Sequence, residues 1–194
     1  MFTKSLYYAH SAQDKLGNLL PYEHRQTLQS HLVNVGEMAA EFAQVFGAQE
    51  IACQTGQLHD VGKYSEDFNH RLHGGPPVDH ATAGAKIAVE RWGGVIGKLI
   101  AFCIAGHHAG LANGNGEGDN CRTLKQRLAL KFGEDIPILD NLWQQEIKPL
   151  KTCLHRHSKP TRIILFSPTP SSPECSIPAW WMPIISIPKR FIQT

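Results

Sequence analysis

Residues 56–68 read GQLHDVGKYSEDF, and the fold turns on how they are read. His59, Asp60 and Lys63 set an imidazole, a carboxylate and an ammonium within five residues, just past an apolar segment. Residues 49–62 have the pattern of a helix that stops at Gly62. Adjacent helical residues diverge by about 100°. His59 and Asp60 can therefore serve one site only across the helix face or beyond its end, and the early stop at Gly62 favours the end. Lys63 can then lean back over the same site.

Upstream, residues 28–46 carry Leu28, Leu32, Val35, Met38/Ala39, Phe42 and Val45/Phe46 at helical spacing. Downstream, HGGPPVD (73–79) is a break, and a helix follows from about His80 to Trp92. Gly93-Gly94 separates it from a strongly apolar helix over about 95–108. The Gly/Asn-rich stretch 109–120 reads as a mobile loop, and helices are expected at 121–132 and 137–149. No alternating run is long enough to suggest a sheet. Residues 1–150 thus read as an all-α helical bundle.

Residues 151–194 follow other rules. Seven of the chain's twelve prolines fall between positions 160 and 188, which excludes helix interior and disfavours a central strand. Trp180, Trp181 and Met182 are equally out of place in a polar tail. This Pro-rich, irregular tail carries a net charge of +5 and residues 1–150 carry −3, so global charge does not mark a nucleic-acid binder. The five scattered cysteines form no C-x-x-C pair, which suits a reducing compartment. The N-terminal MFTKSLYYAHS lacks the apolar segment of a secretory signal, and no run spans a membrane. The expected location is cytoplasmic.

Histidine is over-used, with 11 copies. His31 sits inside the apolar stripe of its helix, three residues after Leu28 and four before Val35. On its own, such a His is more often a hydrogen-bonded core residue than a ligand. His80 opens a helix behind Asp79, an N-cap residue type, and Gly84 one turn on permits a neighbouring helix to come close. His107 and His108 end the most apolar helix, and two adjacent imidazoles there are hard to explain as packing. Four helices thus deliver His31, His59, Asp60, His80, His107 and His108 towards ends or inward faces. Nitrogen and oxygen donors without thiolate suit Mn, Fe, Co, Ni or Zn. Six donors exceed one tetrahedral ion and suit two ions bridged by Asp60. Paired ions about 3.5–4 Å apart are a common device for phosphoester hydrolysis.

The order His31, HDVGK, DH with a following AGA, then GHH resembles the HD metal-dependent phosphohydrolase superfamily. YYAHS (7–11), HDVGKYSEDFNHRL and VDHATAGAK are similar to the HD nuclease domain of the CRISPR-associated nuclease-helicases of type I systems, over roughly residues 5–150. The resemblance implies an HD-domain bundle with one or two divalent transition metals: Mn, Fe, Co or Ni, with Zn or Mg also possible. It implies endo- or exonucleolytic hydrolysis of single-stranded DNA in antiviral defence. His31, His59 and Asp60 match one ion's ligands; Asp60, His80, His107 and His108 match the other's. Lys63 matches the lysine after the His-Asp pair, a candidate catalytic charge beside Asp60. His10 and His24 match no ligand position, and His70, His73, His155 and His157 read as solvated. Arg122, Lys125 and Arg127 offer a basic helix face for nucleic acid. The remaining readings are an HD phosphohydrolase of nucleotides or cyclic nucleotides, and an inactive remnant that only binds CRISPR complex subunits.

Two departures qualify the resemblance. No P-loop GxxxxGK[ST] is present, so a separate helicase and a surveillance complex are the expected partners. The family also expects a late Leu-Val-Asp-Ala-Asp whose first Asp completes the metal site, and no Asp follows Asp140. Ala179-Trp180-Trp181-Met182-Pro183 requires the codons GCN TGG TGG ATG CCN. Read from the wobble position of the first, these give NTG GTG GAT GCC, which is Leu-Val-Asp-Ala when N is C or T. The tail therefore reads as out of frame, with the shift within about 151–170.

Overall fold

The computed structural model describes residues 7–12, 16–18, 20–108, 110–113 and 122–147. The tail 151–194 and most of the expected 109–120 loop lie outside these residues. The described chain is an all-α bundle with no strand; its only β features there are two isolated bridges, one of which joins Tyr8 to Thr27.

Helix α1 (Leu28–Ala43) starts where the Thr27 side chain accepts a hydrogen bond from the Ser30 amide. Its buried stripe is Leu28, His31, Leu32, Val35, Ala39 and Ala43. The expected continuation of that stripe through Phe42, Val45 and Phe46 fails. These side chains are 49%, 81% and 51% exposed, because the chain tightens to a 3-10 turn at Gln44–Phe46 and stops at Gly47 in left-handed conformation.

Helix α2 (Gln49–Leu58) packs against α1 and ends four residues before the expected Gly62. His59 and Asp60 therefore occupy the turn beyond the helix, followed by a 3-10 turn at Val61–Lys63. Helix α3 (Glu66–Leu72) was not foreseen from periodicity; Ser65 caps it through the Phe68 amide, with Glu66 and Asp67 in the first turn. Helix α4 (Ala81–Trp92) and helix α5 (Gly94–Gly106) form the second close pair.

Helices α6 (Leu124–Ala129) and α7 (Leu142–Glu146) are shorter than expected. A reciprocal Thr123–Gln126 capping box fixes the start of α6. Gly133 in left-handed conformation and Pro137 keep the connection to α7 irregular. One core joins these elements: Leu28, Leu32, Leu58, Val61, Tyr64, Ile100, Ile104, Trp143 and Ile147 are all buried. No helix among the described residues is long and apolar enough to cross a membrane.

Candidate metal centre

The six residues picked out by spacing meet around one carboxylate. Asp60, 3% exposed, lies between two groups of imidazoles. Its Oδ2 is 3.4 Å from His31 Nε2 and 3.2 Å from His59 Nε2. Its Oδ1 is 3.2 Å from His80 Nε2 and 3.3 Å from His107 Nε2. His108 Nε2 completes the second group, 2.9 Å from His80 Nε2. Within each set, His31/His59/Asp60 and Asp60/His80/His107/His108, one potential ligand atom per residue lies within 4.8 Å of the others. The second, larger set could hold a metal ion.

The backbone decides which nitrogen faces inward. His59 Nδ1 is 2.6 Å from the Gly56 carbonyl, and His107 Nδ1 is 2.6 Å from the Ile104 carbonyl. A carbonyl only accepts, so each Nδ1 carries the proton and donates it. These tautomers are assigned from hydrogen-bond geometry. The Nε2 lone pairs then point at Asp60, whose oxygens are acceptors too. Lone pair against lone pair is unfavourable without a cation between them. Two atoms here, Asp60 Oδ1 and His107 Nε2, are buried with no hydrogen-bond partner. A backbone-oriented imidazole with an outward Nε2 is the usual geometry of a metal-ligating His. The donor set could therefore hold a metal ion.

Helix ends supply the same sign of field. His59 and His107 are the C-caps of α2 and α5, whose negative dipole ends face the cluster. His80 precedes α4 and points inward while Asp79 does the capping: the Thr82 amide donates to Asp79 Oδ1 at 3.0 Å and the Thr82 hydroxyl to Oδ2 at 2.7 Å. The expected capping role of Asp79 is present, and His80 lies beside Asp60.

Burial alone would push the Asp60 carboxyl up, but positive charge beside it, at His59 when that ring is protonated and at Lys63, holds it well below the carboxylate range. Burial pushes His31 down from its ordinary 6.5. His108 is lowered to about 4, by burial of its inner edge and then by His107 and His80. The sign for the metal-free fold follows. A His31 held neutral binds a proton less readily folded than unfolded, so stability falls as pH drops below about 6.5. Asp60 adds a loss of the same sign below its ordinary 3.8. Denaturant unfolding in chelator from about pH 8 to pH 5 should give a falling midpoint; a flat or rising one would contradict this electrostatic picture.

Lys63 reaches the centre but not as a substrate-facing charge. Its ammonium is 4% exposed, donates to Asp60 Oδ2 at 2.8 Å and to the Ala9 carbonyl at 3.0 Å, and lies 5.1 Å from the Phe68 ring centroid. The expected lean over the site becomes a buried strut that neutralises Asp60. Replacing Lys63 by Met leaves a buried carboxylate without its counter-charge. The metal-free protein should lose about 3–5 kcal/mol of stability, and metal should restore part of it. Equal loss with and without metal would separate Lys63 from the centre's charge balance.

Arg122 and Lys125 are exposed at the start of α6, as a nucleic-acid face requires. Arg127 is not: it lies 3.7 Å from Asp79 Oδ2 and donates to the Thr82 hydroxyl at 3.4 Å, which ties α6 to the start of α4. A cavity of about 680 Å³ is lined in part by the 76–79 segment. Glu66, Asp67, Asp79, Glu134, Asp135 and Asp140 line it, and none of the six candidate ligands does, so it is a poor path for a polyanion.

His10 matches no expected ligand position, yet its ring centroid is 5.1 Å from that of His31, edge to face. Burial of its inner side, then Lys63 and His31, lower it to about 4. The sequence signal was its place in YYAHS. His70 and His73 are exposed, as expected, although His73 Nε2 pairs with the Tyr22 hydroxyl at 2.8 Å. No protein-family model matches the chain, and no curated protein matches it.

Proposed function

We propose that the chain is an HD-type, metal-dependent phosphodiester hydrolase that acts on single-stranded DNA in antiviral defence. One observation carries the reading: a single buried carboxylate offers each of its oxygens to a separate group of inward-facing imidazoles. His31, His59 and Asp60 would hold one ion, and Asp60, His80, His107 and His108 the other. Mn, Fe, Co or Ni fits these donors, with Zn or Mg as further candidates. Divalent ions so held supply Lewis-acid polarisation of a phosphoryl oxygen and a strong nucleophile at neutral pH.

The chain's own residues do the rest. The Gly56 and Ile104 carbonyls orient two imidazoles, and Lys63 balances the Asp60 charge within the bundle. Arg122 and Lys125 offer exposed positive charge for a DNA backbone. The choice of single-stranded DNA, and of a separate helicase and CRISPR surveillance complex as cytoplasmic partners, rests on the motif resemblance. A second reading, a remnant that only binds those subunits, is favoured by the absence of any Asp after Asp140.

The test is degradation of single-stranded DNA with added Mn²⁺, for the chain as written and for a version with residues 151–194 read in the alternate frame. We expect metal-dependent cleavage, stronger in the second. Hydrolysis of mononucleotides without DNA cleavage would move the assignment to a nucleotide phosphohydrolase. No hydrolysis by either protein would leave the binding remnant.

A further inference from the structure

The two ligand groups are unequal. The second offers four donors, with Asp60, His80, His107 and His108, and the first offers three, with His31, His59 and Asp60. The smaller group has one more imidazole beside it. His10 is exposed, while His31 behind it is only 4% exposed. The rings meet edge to face with centroids 5.1 Å apart.

The segment that carries His10 is held firmly. The Ala9 amide donates to the Gln26 carbonyl at 3.0 Å, and the Leu28 amide donates to the Tyr7 carbonyl at 2.9 Å. Lys63 Nζ, the partner of Asp60, also holds the Ala9 carbonyl. The same ammonium thus fixes the central carboxylate and the residue next to His10. Tyr7 and Ala9 are buried, so the segment cannot swing away without uncovering core. The outcome is an anchored backbone that presents an exposed imidazole beside the three-donor group, against His31.

We propose that His10 is a substrate-contacting residue, whose imidazole N–H donates to an anionic phosphate oxygen drawn to the His31/His59/Asp60 side of the centre. This rests on the phosphodiesterase reading above and assigns a residue within it. A neutral imidazole keeps one N–H donor, and an anchored backbone lowers the ordering cost of bringing that donor to a phosphate oxygen. Hydrogen bonds to charged groups are the stronger kind. Because His10 stands outside both donor groups, its role separates cleanly from metal holding.

The experiment compares the metal-loaded wild-type chain with His10→Ala and His10→Asn, using inorganic phosphate as the probe. Metal stoichiometry and affinity are measured first, by Mn²⁺ titration. Phosphate affinity follows, by calorimetry or by inhibition of metal-dependent hydrolysis. The expected result is unchanged Mn²⁺ binding, phosphate affinity about 10- to 100-fold weaker in His10→Ala, and partial recovery in His10→Asn, whose amide can donate. Unchanged phosphate affinity in His10→Ala would overturn the proposal. So would a parallel loss of Mn²⁺, which would make His10 a ligand or a structural residue. A wild-type protein that binds Mn²⁺ but no phosphate would overturn it as well. Asp60-dependent hydrolysis that persists unaltered in His10→Ala would sink this proposal and leave the phosphodiesterase reading standing. A His10-dependent phosphate affinity without any hydrolysis would do the reverse.

Discussion

Asp60→Ala should remove metal from both halves of the centre at once. The carboxylate is the one donor the two groups share, with Oδ2 towards His31 and His59 and Oδ1 towards His80 and His107. Loss of a group that merely orients a ligand already costs about 10- to 100-fold in metal affinity. Loss of a shared, charged ligand should exceed about 100-fold on each side, and metal-dependent hydrolysis should fall to background. The metal-free protein should suffer too. Lys63 would keep a buried ammonium with the Ala9 carbonyl and the Phe68 ring but no counter-charge, and an uncompensated buried charge costs about 3–5 kcal/mol. Asp60→Asn separates the two effects: it preserves shape and one acceptor oxygen for Lys63 while removing charge. It should fold better than the alanine variant and bind metal almost as poorly. Metal titration and thermal unfolding of both variants check this. Undiminished metal affinity in Asp60→Ala would dissolve the shared-ligand account.

The second large effect comes from glycines that carry no chemistry. A Cβ on Gly84 would sit 2.1 Å from the Leu58 carbonyl oxygen, and one on Gly62 would sit 2.1 Å from the His80 carbonyl oxygen. Both obstacles are backbone atoms that cannot rotate aside. Alanine is the better helix former by about 1 kcal/mol, which would argue for Gly84→Ala. Sterics win, because α4 and the end of α2 would have to separate. The expected loss is about 3 kcal/mol or more, or a Tm lower by roughly 6–12 °C for a domain of this size. Leu58 precedes His59, and Gly62 follows Asp60 by two, so the same displacement would pull the donor groups apart. Gly62→Ala and Gly84→Ala should therefore lose metal affinity as well as stability, read by unfolding and Mn²⁺ titration. A Gly84→Ala protein of wild-type stability would show that the close crossing is not required.

The sequence carried the site further than it carried the helix bounds. The convergence of His31, His59, Asp60, His80, His107 and His108 was legible because imidazoles at helix ends and in an apolar stripe conflict with simple packing, and five such conflicts agreed. Periodicity located α1, α4 and α5, whose stripes are long. It overran α1, because Phe42, Val45 and Phe46 continue the spacing although the helix tightens and turns at Gly47. It missed α3, a helix of seven residues with too little periodic signal. The Ser65 cap followed by Glu66 and Asp67 was the available cue. The destination of Lys63 could not be read either: its partner Ala9 is 54 residues away, and long-range backbone acceptors leave no mark on local sequence. The fate of Arg127 had the same cause, since its carboxylate partner Asp79 lies far off in the chain.

The most direct test of the central claim is anomalous diffraction at the Mn or Co edge from crystals of the metal-loaded chain. The account predicts one peak on each side of Asp60, each about 2.0–2.3 Å from a different carboxylate oxygen and from its own set of imidazole Nε2 atoms. Metal density only elsewhere, or none within ligand distance of Asp60, would contradict it.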